Sequence, residues 1–508
     1  MQTSKFKSLF NLAVINKNCI RTATETGTPS SSQKIKPWKE IPGPSSLPFI
    51  GQLHHFMSAV FFSGAFSDMR DPLTTMKLIE KYGPIIRLDS MFGKRPLLFL
   101  SDPESIEIVL RNENSYPIRP GFESLEYYRK DYRKSKGIHF RATGLISDHG
   151  LVWQEFRSIV NPVMLQPKTI KLYTKVLDEV ALDMIARMRA NRDENNMITK
   201  EFDKEMNLWA LESTGTVALG LRLNCLDPNL PADSPEWQLI ECVHELFTTA
   251  NQIDFIPNLW RLFPTPLFKK VMKAYENHDK LTKYFIQKGK DNLKYNSDKE
   301  KGVLEKLLEI NEEAAHIMAS DMLFAGVDTA SNTVTATLYL LAKHQKKQDL
   351  LREEIMSKSE RRPYLRACIK ESLRLMPVVA GNARRTTNVF HLLGYEVPKG
   401  VDIIFAHREM AMMEKNFPRA NEYIPERWLA AKNDPLYYGK AHPFVYVPFG
   451  FGARACIGRR IAELEMDTFI ARLIENFQVR WFGPPPKTIQ HSLNYIKGPY
   501  NFVFKDIK

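Results

Sequence analysis

Cysteine is scarce in this chain, and so are the patterns that would pair cysteines. The 508 residues include five cysteines, an odd and widely spaced set that suits a reducing compartment better than a disulfide framework. No C-x-x-C or H-x-x-x-H pair occurs, so a zinc site is not expected. The N-terminal region also lacks the run of about 20 apolar residues that an anchoring membrane span needs.

Repeats, linkers and basic aromatic-rich blocks are missing as well. A 44% hydrophobic content over this length indicates a globular protein with one large core or two unequal ones. The net charge of +13 is spread along the chain, so no nucleic-acid partner is expected. An acidic protein partner and an anionic membrane surface account for that charge equally well.

Acidic residues are absent from the first 24 positions, where basic and apolar residues alternate at roughly helical spacing. This composition predicts that 1–32 is a mitochondrial transit peptide and disordered tail, cut between Arg21 and Ser32. The alternative is an unstructured basic tail that carries no address. In either case 33–508 is expected to form one domain, with ordered structure from near Trp38.

A glycine-rich turn near the C-terminus presents one cysteine. Residues 449–458 read FGFGARACIG and fit the pattern F-x-x-G-x-R-x-C-x-G. A thiolate that holds haem iron needs close backbone N–H groups, which glycines permit, and Arg454 has the planar fork to grip a haem propionate. The alternative, a structural buried cysteine, would need neither the arginine nor the glycines.

Residues 449–458, together with the following IGRRIAELEM at 457–466, resemble the haem-binding loop of the cytochrome P-450 monooxygenases, in the mitochondrial branch found in insects. The resemblance extends from about Pro42 to the C-terminus. It implies a mainly α fold with a small β region (α+β), with haem b between a long central helix and the cysteine loop. Cys456 is then the axial thiolate ligand of the iron, and Phe449 belongs to the haem site.

Three further residues match haem-binding positions of the resembling family. Trp153 and Arg157 lie one helical turn apart and match a W-x-x-x-R helix whose polar tips reach a propionate. A core tryptophan beside a surface arginine is the alternative meaning of that spacing. Arg384 aligns with another propionate ligand, and Arg385 is its rival because neighbouring strand residues face opposite sides.

The second strong motif lies in an apolar helix that we place at 312–343. Asp328 near its midpoint argues against a membrane span, so a buried central helix is expected. Gly326 removes side-chain bulk, and the Thr329 hydroxyl can turn to a carbonyl one turn back and open the helix locally. The resemblance places this element over the oxygen-binding face of the haem, with Asp328 and Thr329 as the catalytic proton-relay pair and Gly326 beside the cofactor. A helix with one satisfied aspartate is the alternative.

A third group of residues matches a structural brace. Glu371 and Arg374 form an E-x-x-R pair, a spacing that by itself means little. The later P-E-R-W at 425–428 adds Arg427. The resemblance implies that these three residues support the haem pocket and take no part in catalysis.

The remaining pattern predicts local elements. Helices are expected at 74–82 and 103–113, and paired strands at 85–89 and 96–100. The connector at 353–365 is shorter than the resemblance implies, so a small helix is expected to be missing there, through a genuine deletion or an error in the coding sequence.

Four cations resemble those that dock an acidic two-iron ferredoxin, which is itself served by an NADPH-dependent reductase: Arg366, Lys370, Arg459 and Arg460. Their alternative is a set of solvated charges. The resemblance also implies a location at the matrix face of the mitochondrial inner membrane. The apolar and basic segment 255–270 is expected either to make peripheral membrane contact or to pack on the protein's own core.

The resemblance implies an enzyme that inserts one oxygen atom of O2 into a small lipophilic substrate. A xenobiotic such as an insecticide is favoured over an ecdysteroid precursor, the substrate of a steroid-pathway hydroxylase. A non-enzymatic haem sensor or carrier is the alternative from another class, and it would not need Asp328 and Thr329. The expected lining of the substrate pocket is Phe140, Leu145, Phe247, Leu323 and Val378.

Overall fold

The computed structural model describes most of the chain downstream of the N-terminal region. The described residues are 35–46, 52, 73–89, 95–138, 141–198, 201–255, 259–293, 300–359, 361–490 and 493–507. The predicted transit peptide at 1–32 and the pocket residue Phe140 lie outside them.

Helices form most of the described structure. They are α1 (Leu73–Tyr82), α2 (Pro103–Arg111), α3 (Glu123–Tyr127), α4 (Arg133–Ser135), α5 (Gly150–Met164), α6 (Pro167–Lys171), α7 (Thr174–Asn191), α8 (Phe202–Leu219), α9 (Pro235–Ala250), α10 (Pro266–Leu293), α11 (Val303–Ile310), α12 (Glu312–Lys343), α13 (Gln345–Met356), α14 (Pro363–Leu375), α15 (His407–Ala411) and α16 (Arg459–Asn476). Single π turns at Tyr128–Tyr132 and Asn251–Phe255 extend two of them. Within the described ranges, no helix is both long enough and apolar enough to cross a membrane.

The strands are short and belong to small sheets. They are β1 (Ile85–Leu88), β2 (Leu97–Leu100), β3 (Ala383–Arg385), β4 (Phe390–Leu392), β5 (Tyr395–Val397), β6 (Asp402–Phe405), β7 (Phe477–Trp481), β8 (Lys487–Gln490), β9 (Asn494–Lys497) and β10 (Phe502–Asp506). The largest sheet has the order β1-β2-β6-β3. The predicted pairing of β1 with β2 is confirmed, antiparallel, with Ile85 opposite Leu100.

Helix α12 runs through the helical core with the bounds that the sequence predicted. Asn311 caps its first turn by accepting a hydrogen bond from the Ala314 N–H at 3.1 Å. It packs on α8, where a Cβ built on Gly326 would come 2.6 Å from the Thr214 hydroxyl. This glycine therefore sets how closely the two helices approach, a role that the sequence did not predict.

The connector between α13 and α14 contains no helix in its described residues, 357–359 and 361–362. Glu354, near the end of α13, caps α14 across it, because its carboxylate accepts hydrogen bonds from the N–H groups of Tyr364 at 2.7 Å and Leu365 at 2.9 Å. These N–H groups have no partner within their own helix. The short connector is thus compatible with a well-capped α14.

Candidate functional site

The loop that carries Cys456 is a tight turn fixed by its glycines. Gly450 and Gly452 have φ of +74° and +70°, values that favour glycine. A Cβ on Gly452 would also come 2.8 Å from Glu113 Oε1. The Cys456 N–H donates to the Phe449 carbonyl at 2.8 Å and closes the loop, which explains the spacing of the motif.

The Cys456 thiol lies in the wall of an interior cleft. Among the described cysteines it is the exposed one, yet burial raises its pKa. The sulfur can be exposed and yet surrounded by protein when it faces an opening inside the molecule. The backbone N–H groups of Gly458 and Arg459 donate to the sulfur, and Arg157 and Arg119 stabilise its negative charge, so all four oppose the rise in the pKa. A bound metal cation would complete that stabilisation and hold the sulfur as a thiolate.

Arg454 joins this loop to the N-terminal half of the protein. Its guanidinium donates to the carbonyls of Pro117 at 2.8 Å, Leu145 at 3.1 Å and Asp148 at 2.8 Å. It also lies 3.7 Å from the centre of the Trp153 ring. Burial, and then the neighbouring arginines, lower its pKa to about 8. A guanidinium destabilised in this way is placed to bind an anion.

Arg454 belongs to a cluster of arginines around the cleft: Arg119, Arg157, Arg384 and Arg454. Burial and the charge of Arg384 lower the pKa of Arg119, and burial lowers that of Arg157. Trp153 Nε1 and Arg157 Nε are buried without a hydrogen-bond partner among the described residues. The four neighbouring arginines and the two buried donors without partners suit a ligand that carries carboxylates, such as haem with its two propionates.

Arg119 is the member of this cluster that the sequence did not reveal. It lies in an irregular segment with no motif around it. Its charge interacts with Cys456 and with Asp321 of α12. The cysteine loop and the central helix therefore border the same cleft.

Arg384 and Arg385 lie on the two faces of β3 and have different partners. Arg384 is buried and donates to Glu113 Oε2 at 2.6 Å and to the Phe451 carbonyl at 3.1 Å, so it belongs to the arginine cluster. Arg385 pairs with Asp402 at 2.6 Å across the sheet. Arg384 is therefore our candidate propionate ligand.

A buried ion pair that the sequence did not predict fixes the loop between α4 and α5. Arg129 lies 2.6 Å from Asp321, and both side chains are buried. The other Asp321 oxygen accepts from the Leu145 N–H at 2.8 Å, while the Leu145 carbonyl accepts from Arg454. The backbone of a single residue, Leu145, thus links α12 to the cysteine loop.

Four residues of α12 are only partly buried although the surrounding turns are buried: Ala325, Gly326, Thr329 and Asn332. Their spacing puts them near one face of the helix. A Cβ on Gly326 would meet Thr214 of α8, and Asn332 accepts from the Ile496 N–H of β9, so we assign Ala325 and Thr329 to the cleft. These two residues bring one hydroxyl and no charge, which favours a lipophilic occupant.

Asp328 and Thr329 point in different directions. Asp328 is 1% exposed, and its Oδ2 accepts from the Tyr495 hydroxyl at 2.9 Å. The Thr329 hydroxyl donates to the Ala325 carbonyl at 2.7 Å, as expected. However, α12 remains continuous there, so the expected local opening is wrong. The two side chains do not hydrogen-bond each other, because neighbours on a helix diverge.

The predicted brace is assembled in the core. Arg374 donates to both oxygens of Glu371 at 2.8 and 3.0 Å, and Arg427 donates to Oε1 at 3.0 Å. Trp428 Nε1 donates to Glu371 Oε2 at 2.9 Å, a fourth contact that the sequence did not predict. Arg374 also donates to the Ala411 carbonyl. These bonds tie α14 to the segment that precedes the cysteine loop.

Comparison with known proteins now decides the family. The model of the family described as Cytochrome P450 matches residues 41–505. The chain belongs to the cytochrome P450 family. Cytochrome P450 CYP12A2 of Musca domestica is 36% identical, over 98% of this chain and 96% of that protein. Probable cytochrome P450 12a5, mitochondrial, of Drosophila melanogaster is 35% identical, over 93% and 92%.

A solved structure shows the same fold. The structure titled "Retinoic acid bound cyanobacterial CYP120A1" aligns with a TM-score of 0.69 at 20% identity, covering 94% of this chain and 100% of that one. The predicted fold class, mainly α with a small β region, is confirmed. As a P450 the protein binds haem through a cysteine thiolate and is a monooxygenase.

The four predicted docking cations of this P450 line one hollow on the surface. The hollow has a volume of about 740 Å³ and includes Phe449 of the cysteine loop. Arg366 pairs with Asp467 at 3.2 Å, and Arg459 pairs with Glu463 at 2.8 Å. No ion pair is recorded among the described residues for the other two cations, Lys370 and Arg460, so their charges are the more available ones.

The predicted substrate lining is partly wrong. Phe247 and Leu323 are 3% and 0% exposed and lie in the helical core. Phe247 stacks on Phe324 with ring centres 4.6 Å apart. Leu145 is also buried, whereas Val378 is partly exposed. Leu323 faces the core because the packing of α12 on α8 turns a different side of the helix to the cleft.

Proposed function

We propose that this P450 inserts one atom of O2 into a lipophilic xenobiotic such as an insecticide, with electrons from a two-iron ferredoxin. The overall reaction consumes O2, two electrons and two protons, places one oxygen atom in a substrate C–H bond and releases the other as water. NADPH supplies the electrons through the ferredoxin and its reductase. The uncharged cleft face of α12 is the observation that supports a lipophilic substrate.

In this proposal the cleft residues hold and tune the haem. Cys456 ligates the iron, and the arginine cluster with Trp153 binds the propionates. The bound haem supplies the oxygen chemistry, and the thiolate favours cleavage of the O–O bond. Thr329 and Asp328 would supply protons to that chemistry, while Glu371, Arg374 and Arg427 would keep the cysteine loop in place.

The available cations of the hollow support ferredoxin docking. An acidic partner would be steered to Lys370 and Arg460, which line one hollow with Phe449 of the loop that would hold the haem. Reversing both charges (Lys370→Glu with Arg460→Glu) should raise the KM for ferredoxin about tenfold at low salt and leave kcat nearly unchanged. Lys175→Glu on α7, outside the hollow, is the matched control. Equal KM values in the two variants would contradict the docking site.

We also propose a mitochondrial location at the matrix face of the inner membrane, with 1–32 as the transit peptide and 33–508 as the enzyme domain. Several relatives are named mitochondrial. Leu262 and Phe263, in the loop before α10, are 79% and 53% exposed, which suits peripheral membrane contact. Leu262→Ser with Phe263→Ser should weaken flotation with cardiolipin-containing vesicles. Phe482→Ser, at an equally exposed ring, should not.

A binding-spectrum screen tests the substrate class. Purified protein is titrated with insecticides, 7-ethoxycoumarin and ecdysteroid precursors, and every compound that shifts the haem spectrum is then incubated with ferredoxin, reductase and NADPH. Product from insecticides supports the proposal. Tight binding and turnover limited to ecdysteroid precursors would replace it with the steroid-pathway reaction. Spectral binding without O2 consumption would indicate a sensor or carrier.

A further inference from the structure

A polar contact reaches the buried carboxylate of Asp328 from α9. His244 of α9 has its Nδ1 3.9 Å from Asp328 Oδ2, and its side chain is 42% exposed. Asp328 itself is 1% exposed. The imidazole therefore touches solvent on one side and faces a buried acid on the other.

The geometry around His244 is fixed by a third residue. The ring of Tyr495, on β9, lies edge-on to the imidazole with centres 5.6 Å apart, and its hydroxyl donates to the same Asp328 oxygen at 2.9 Å. The other oxygen, Oδ1, is buried and has no hydrogen-bond partner among the described residues. A buried carboxylate oxygen without a partner is costly, so this atom is a candidate for a transient proton or for a bridging water.

We propose that protons enter from solvent through His244. They pass to Asp328 and then to the cleft, which Thr329 borders. The proton on Nδ1 passes to Asp328 Oδ2, and the imidazole takes another from solvent. Rotation of the protonated carboxyl then presents the proton on the cleft side. No bond to the substrate is made or broken by His244, and the electrons come from ferredoxin as above. A proton crosses 3.9 Å by rotation of the imidazole or by one water.

The charges around His244 suit this role. Asp328 and Tyr495 face it from α12 and β9, and Lys497 lies over the Tyr495 ring. On α9, Glu245 pairs with Lys270 at 3.4 Å, and Glu241 interacts with Lys204. The carboxylates beside His244 on its own helix are thus partly neutralised, and Asp328 is the acid that it faces in the interior.

The sequence alone gave no sign of this arrangement. His244 and Asp328 lie on different helices, and Tyr495 lies on a strand near the C-terminus. The inference rests on the proposed monooxygenase reaction and deepens it, because it names the solvent end of the proton path.

The test compares two routes of turnover, with 7-ethoxycoumarin as the probe substrate. With NADPH, ferredoxin and O2, His244→Ala and His244→Gln should lower product formed per NADPH about tenfold and release the difference as peroxide. With cumene hydroperoxide, which brings a partly reduced O–O bond, the same variants should stay close to wild type. The solvent deuterium isotope effect on the NADPH route should increase.

Matched controls separate this role from a structural one. His391 is half-exposed and also lies 3.9 Å from a carboxylate, Glu396, but on the surface hairpin β4–β5. His391→Ala should therefore leave both routes unchanged. The band of the reduced carbon monoxide complex reports that haem and thiolate are intact in each variant. Adding His244→Ala to Asp328→Asn should lower coupling no further than Asp328→Asn alone.

Two results would overturn the proposal. One is unchanged coupling in both His244 variants. The other is an equal loss in the NADPH and hydroperoxide routes while the carbon monoxide band is intact, because that pattern belongs to a packing defect. A wild-type protein that consumes no O2 with any reductant would instead contradict the proposed function itself.

Discussion

The guanidinium of Arg454 lies 3.7 Å from the ring centre of Trp153, so the cysteine loop and α5 meet in a cation–π contact. In a site shielded from water such a contact stabilises by about 2 kcal/mol. It also fixes the position of the Trp153 ring, whose buried Nε1 has no hydrogen-bond partner among the described residues and is free to donate to an acceptor. The same contact that holds the loop thereby prepares a donor for a haem propionate.

Removing one donor of the arginine cluster should loosen the haem without unfolding the protein. Arg119→Ala deletes a cation whose charge interacts with Cys456. Arg119 belongs to no sequence motif. A charge-assisted hydrogen bond contributes about 1.5–3 kcal/mol, so haem should transfer to apomyoglobin at least about tenfold faster. Arg141→Ala, at a side chain that is 79% exposed, is the control. Equal transfer rates for the two variants would remove Arg119 from the site.

The brace should fail when its carboxylate loses its charge. Glu371→Gln leaves Arg374 and Arg427 buried without their counter-ion, at a cost of about 3–5 kcal/mol. We expect little haem incorporation at 37 °C, measured as the carbon monoxide difference spectrum per mole of chain. Glu463→Gln breaks only the exposed pair with Arg459 and should cost under about 1 kcal/mol. A normal spectrum for Glu371→Gln would show that the brace is dispensable.

Contact between α12 and α8 can be tested with a methyl group. Gly326→Ala places a Cβ within 2.7 Å of two side-chain atoms of Thr214, so it should destabilise the protein by about 1–3 kcal/mol. Thr214→Ala in the same chain should recover part of that loss, which thermal denaturation of the two variants and the double variant measures. Absence of any recovery would mean that Gly326 is needed on the cleft side of the helix instead.

Stability should depend on pH through Glu465 of α16. This residue is 3% exposed, its Oε1 has no partner among the described residues, and burial raises its pKa from 4.5 to about 8. Between these values the unfolded chain releases a proton that the folded chain keeps. The contribution of Glu465 is therefore fully present below pH 4.5 and is lost as the pH rises to 8, by at most about 1.4 kcal/mol per pH unit.

Glu465→Gln removes this ionisation and should flatten the fall in the denaturation midpoint from about pH 6 to about pH 8, the upper part of that window. Glu179→Gln, at a side chain that is 52% exposed on α7, is the comparison and should keep the wild-type slope. Identical slopes in all three proteins would show that Glu465 does not titrate in that range.

Much of this architecture was predictable because its signals are local. The bounds of α12 follow from its apolar pattern and the cap at Asn311. The Glu371–Arg374 pair and the W-x-x-x-R pair each lie within one helix, where spacing fixes which side chains share a face, whereas Arg427 of the brace was expected only from the resemblance.

Contacts between distant segments were not predictable in this way. Arg119, the Arg129–Asp321 pair and the Tyr495–Asp328 bond join irregular segments or strands to helices. No periodicity in a single sequence records such pairings. The error at Leu323 has a related cause, because the side of α12 that is buried depends on its packing against α8, which the sequence of α12 alone does not show.

The cap that Glu354 provides for α14 has a practical consequence. The carboxylate lies before the connector and both N–H groups that it caps lie beyond it, so the contact that holds α14 to α13 does not depend on the residues between them. A tag or fluorescent reporter inserted at 357–359 should cost little more than loop-closure entropy, about 0.6 kcal/mol for each doubling of length. It would sit close to Arg366 at the rim of the hollow, where it could report the arrival of an electron donor.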